Sequence, residues 1–167
     1  MKKLTILLGV CLLLLLTAAG CGGNRLSKLE SDKQIAVAVV HSTATGLAEV
    51  LKGYQSEIDR TNFIRTYVDQ IRFYPDQSGY LFVDNYDCKS IALPNPKDLE
   101  GQDLYNYQDS KGNYVVRLLA ATAESGGGFV EYYLVKPGST GEQRKISYVE
   151  PIPGTNYFIG AGVYIGN

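Results

Sequence analysis

Tyr80, Phe82, Tyr133, Lys145 and Ser147 are the residues whose types and spacing could hold a small molecule. In extended backbone, successive side chains point to opposite faces. On that rule one sheet face would carry these five with Gly160, Gly162 and Tyr164. Hydroxyls, one ammonium and two absent side chains suit a pocket in which a few polar groups orient a ligand among apolar walls. A half-exposed sheet face, with Tyr and Lys reaching to water, would read the same way. The opposite set is Leu81, Val83, Val130, Leu134, Ile146, Ile159, Val163 and Ile165, nearly all aliphatic and suited to packing on a helix. Tyr148 has the wrong parity to share a face with Lys145.

Other chemistry has little material. His41 is the single histidine and has no Cys or acid at metal-ligand spacing. Neither a zinc site nor a His-based acid–base couple is expected. Asp84, Asp87 and Asp109 do not fall into the spacing of a calcium loop. The glycines of 125–129 and 160–166 do not lead from a strand into a helix, the setting that aims amides at a phosphate. They are better read as a helix stop and as places where something approaches a strand closely. With no nucleophile–base pair, no enzyme, metal or cofactor is expected.

The chain has 167 residues, 45% hydrophobic and 20% charged, which suits one globular domain. Its start differs: Lys2 and Lys3 precede the apolar run 4–16, in the manner of a secretory signal. Residues 18–21, Ala-Ala-Gly-Cys, resemble the lipobox of bacterial lipoproteins. That resemblance implies acylation of Cys21, with palmitate or a similar chain, and a mature protein held outside the cytoplasm on the outer membrane or cell surface. Residues 1–20 would then be the signal peptide, 21–26 the lipidated cysteine and a short linker, and 27–167 the domain. Removing Lys2 and Lys3 leaves 14 basic against 17 acidic residues, a net charge of −3. No basic stripe exists to draw in nucleic acid. Cys11 would leave with the signal and Cys21 takes the lipid. Cys88 then has no partner for a disulfide and reads as a small buried apolar residue.

The elements that position the pocket residues follow from periodicity. Ser27 and Glu30 have the spacing of a capping box. A long amphipathic helix is predicted from there to about residue 60. Its apolar face would be Ile35, Ala38, Val39, Ser42, Leu47, Val50, Leu51, Tyr54 and Ile58, with Gly46 and Gly53 marking a bend. A second helix, about 61–72, carries Ile64, Tyr67, Val68 and Ile71. From Tyr74 the period falls to two, giving a hairpin around 84–87 and a turn-rich connection over 93–113. A short helix over 114–125 presents Val115, Leu118, Leu119, Thr122 and Ala123. Strands at about 128–136, 143–150 and 156–165 follow. The class is α+β with a five-stranded antiparallel sheet.

The segments GYLFVDNYDCKSIALPNPKDLEGQDL, GGGFVEYYLVKPG and RKISYVEPIPGTNYFIGAGVYI, in this order, resemble the single Cache domains of bacterial receptors. The resemblance implies a PAS-like fold: a long N-terminal helix packed on the antiparallel sheet, with a small-molecule pocket on the other face. It implies a non-catalytic extracytoplasmic sensor for a small carboxylate of the acetate, propionate, pyruvate or lactate class, in chemotaxis-like signal transduction. It also implies that Arg72, placed before the first strand, meets the ligand carboxylate through its planar fork. By its position alone, Arg72 would equally serve as a cation closing a helix C-terminus. Two departures stand out. Leu93 precedes Pro94 where the family often has histidine, and Leu134 and Tyr157 stand at its usual Trp positions. The family's receptors continue into a membrane helix. The expectation here is a lipid-tethered sensor that passes its ligand state to a membrane-spanning signalling partner. The alternative is an interaction or scaffold subunit of the same fold that binds no ligand.

Overall fold

Small residues decide how the first helix lies. The computed structural model describes residues 20–166, with side chains from Leu26 onward. Residues 1–19 and the side chain of Cys21 lie outside the described residues. Helix α1 spans Gly20–Leu51. Its inner face is Ala36, Val40, Ala44, Leu47, Ala48 and Leu51, all buried. Mostly small, these side chains let the helix approach the sheet closely and fill the gap at interior density. Leu47 and Leu51 of the predicted stripe lie on this face, while other members of it turn away. Ile35 and Val50 are 41% and 45% exposed, and Ala38 and Ser42 also face outward. Bulk and hydropathy pointed one way, and the fit of small side chains to the sheet decided otherwise.

Three boundaries differ from expectation. Ser27 lies within α1, not at its cap, and the helix also runs through 22–25, where a linker was expected. The chain breaks at Gly53 and not at Gly46. Ser56 then caps α2, Glu57–Asp69, whose inner face is Ile64 and Val68. That helix starts and ends a few residues earlier than its apolar spacing suggested.

The sheet is built from β1 Leu81–Asn85, β2 Ser90–Ala92, β3 Gly128–Val135, β4 Glu142–Pro151 and β5 Tyr157–Ile165. Its order is β2-β1-β5-β4-β3, every pairing antiparallel. Helix α3, Val115–Glu124, sits between β2 and β3 in the chain. The sheet carries a core on each face. On one, α1 and α2 bury Leu81, Val83, Ile159 and Ala161. On the other, α3 and the connection after β2 cover Tyr80, Phe82, Val130, Tyr132, Leu134, Val149 and Phe158. Val130 and Leu134 therefore lie opposite the face predicted for them. Strand β3 is turned over because its register with β4 pairs Val130 with Ser147 and Tyr132 with Lys145, and directly opposed residues share a face.

Candidate functional site

On the face away from α1, a small cavity with an open mouth lies between the sheet and α3. Tyr80, immediately before β1, and Phe82 and Asp84 within it stand two residues apart and line the cavity together. Strands β3 and β4 supply Tyr132, Leu134 and Lys145. The apolar wall is Leu93, Leu99 and Leu104 from the connection, and Val115, Val116 and Leu119 from α3. Leu93, which stands in place of the family's frequent histidine, adds no polar group there.

Lys145 is 1% exposed. Its Nζ donates to Tyr80 Oη at 2.9 Å and lies 4.0 Å from the Tyr80 ring centre and 5.0 Å from that of Tyr164. Tyr80 and Tyr164 hydroxyls are 3.0 Å apart, and Tyr164 donates onward to the Val135 carbonyl. The chain of donation thus runs from Lys145 through both phenols to the backbone. Burial alone would push the ammonium pKa down. The surrounding phenol oxygens of Tyr132, Tyr164 and Tyr80, with the bond accepted by Tyr80, more than offset this and raise it. Lys145 is therefore a charged group with three N–H donors, one of them taken. Among the described residues it forms no ion pair.

Asp84 is 3% exposed, and burial raises its pKa to about 7, weakly opposed by the nearby Ser90 hydroxyl. That hydroxyl is buried and falls outside hydrogen-bonding geometry. Tyr132 stands within the reach of both charged ends: burial raises its pKa, Lys145 opposes this and Asp84 adds to it.

Tyr80, Phe82 and Lys145, all expected in the pocket, line the cavity. Ser147 lies fully buried behind the wall and holds the Tyr132 hydroxyl at 2.9 Å. Tyr133 is on the opposite face, its amide donating to Asp109 and its ring under Lys111. Arg72 is also outside. It is exposed, and its guanidinium donates to the carbonyls of Asp69 and Ile71 at 2.8 Å each. With α2 ending at Asp69, that terminal carbonyl lacks a helical partner and the cation serves it. Tyr148 packs towards α1 and donates to Glu150, as its parity required. The glycines make room for protein: a Cβ on Gly160 would strike Phe82, and one on Gly162 would strike Ser147.

The chain matches the description of the Single Cache domain 2 family over residues 25–167. It belongs to that family. Cache domains are extracytoplasmic ligand-binding sensors and not catalysts. Over 89 residues, 53% of its length, the chain is 33% identical to the sensor histidine kinase MctS of Rhizobium johnstonii. Over 92 residues, 54% of its length, it is 34% identical to the methyl-accepting chemotaxis protein McpP of Pseudomonas putida. These matches span 19% and 17% of the two relatives. A Cache chemosensory domain solved as the structural basis for carboxylic acid recognition superposes with a TM-score of 0.71 at 24% identity. That match covers 84% of this chain and 98% of the solved one. The likeness is one of fold. The matched segment is a small part of the length of both relatives.

Proposed function

We propose that this Cache domain is a sensor that binds a short-chain carboxylate between Lys145 and the wall of Leu93, Leu99, Leu104 and α3. One observation carries the reading: Lys145 is buried, charged and without an acid partner, and it opens onto a cavity. An ammonium taken out of water needs compensation. Tyr80 takes one N–H, and a ligand carboxylate would take the others and supply the missing negative charge. The aliphatic wall suits a short alkyl chain, and carboxylic acid recognition by a Cache domain of the same fold supports the assignment. Tyr80 and Phe82 orient the ammonium, and Ser147 fixes Tyr132. The lipid at Cys21 and a membrane-spanning partner that receives the ligand state complete the proposal.

A hydrogen bond to a charged group is worth about 1.5–3 kcal/mol, and 1.4 kcal/mol is about tenfold in affinity. Lys145→Met is therefore expected to weaken binding of acetate, propionate or butyrate by tenfold or more. Titration calorimetry on the two proteins checks this, with circular dichroism confirming that the variant is folded. Equal affinity in a folded Lys145→Met protein would remove the carboxylate reading.

A further inference from the structure

The cavity has a second ionisable end, which a simple acid would leave unused. Asp84 is buried on the same face of β1 as Tyr80 and Phe82, and it lines the same space as Lys145. Lys145 and Asp84 form no ion pair, and Lys145 is not among the groups that perturb Asp84. One strand sets their separation. Lys145 Nζ lies closer to the ring centre of Tyr80, at 4.0 Å, than to that of Phe82, at 5.5 Å. Phe82 to Asp84 is a further two residues, roughly 6–7 Å of strand.

We propose that the ligand is an ω-amino carboxylate, whose carboxylate meets Lys145 and whose ammonium meets Asp84, with the methylene chain lying along Phe82 and the leucine wall. This rests on the carboxylate reading above. Both charged ends of the cavity would then be compensated by one electrically neutral molecule. A plain carboxylate compensates only Lys145 and sets apolar carbon against the Asp84 carboxyl. A dicarboxylate brings a second anion to an acid. An α-amino acid places its two charged groups on one carbon, too close together to touch both ends.

Calorimetry on the full chain with two matched pairs tests this: butyrate against 4-aminobutyrate, and valerate against 5-aminovalerate. The aminated member of at least one pair is expected to bind tenfold or more tighter. In Asp84→Asn that preference should vanish. Plain acids that bind the unaltered protein as tightly as their aminated partners would overturn the proposal and leave the carboxylate reading standing. If neither member of either pair binds, nor any shorter acid, the carboxylate reading falls and takes this one with it. The comparison within the unaltered protein holds even if Asp84→Asn does not fold.

Discussion

Asp84 makes a stability claim as well as a binding one. Burial raises its pKa to about 7 in the folded domain, while the unfolded chain gives up the same proton near the ordinary Asp value of 3.8. Between those values the folded state binds a proton that the unfolded state does not, so stability falls as pH rises. The contribution is full below about pH 4, declines to about pH 7, and is flat beyond. At about 1.4 kcal/mol per pH unit across about three units, the loss is on the order of 4 kcal/mol. Lys145, Tyr107 and Tyr132 share the cavity and are all pushed above their ordinary values, so they do not titrate in this interval. Asp84→Asn removes the penalty. Urea unfolding without ligand should show the variant and the parent alike near pH 4 and the variant clearly more stable at pH 8. A constant difference across that range would contradict the buried, ionisable assignment.

Strand β3 shows how much of the site could be read from the residues, and where that reading failed. The five strands, the hairpin and the segregation of Tyr80, Phe82, Lys145 and Ser147 to one face follow from period-two alternation. Residue type alone sends the aliphatic Val130 and Leu134 to the helix side and favours Tyr133 for the pocket. Pairing carried the missing information. A hairpin that closes near 136 and 143 sets even-numbered β3 residues opposite odd-numbered β4 residues, and Lys145 therefore faces Tyr132. Asp84 reads as a turn residue by type, although it continues the 80, 82, 84 alternation. The leucine wall and α1's inner stripe had weaker signals, since tertiary fit and not local pattern selects them. The two tyrosines give a direct test. Tyr132→Phe removes the bond to Ser147 and should cost about 1 kcal/mol of stability together with some carboxylate affinity. Tyr133→Phe touches neither, and its denaturation midpoint and affinity should match the parent. A reversed order would mean that β3 is turned the other way.

Helix α1 ties sensing to whatever holds the molecule in place. By length and composition Leu26–Leu51 could cross a membrane, but its inner residues are the core on which the sheet rests. Moving that stretch into lipid would strip the sheet of Ala36, Val40, Leu47 and their partners, so in the folded domain it is a core helix, and we place the attachment elsewhere. Cys21 supplies it in our reading. At 1.5 Å per residue, the helix carries the chain about 22 Å from Cys21 to Ala36, the first residue of the inner face, with no flexible joint between. A lipid there would hold the sensor at a fixed short distance from the bilayer. A ligand could then alter a membrane partner only through unequal affinity for the free and partnered states, and the partner would change ligand affinity by the same factor. The anchor is the step to test first. Cells expressing the parent and Cys21→Ser, grown with a clickable fatty acid, should show label and membrane partitioning only in the parent. Equal labelling of the two would place any acyl group elsewhere and remove the tether. Labelling of the parent alone would make Cys21 the fixed point about which α1, and through it the pocket sheet, is oriented towards a partner.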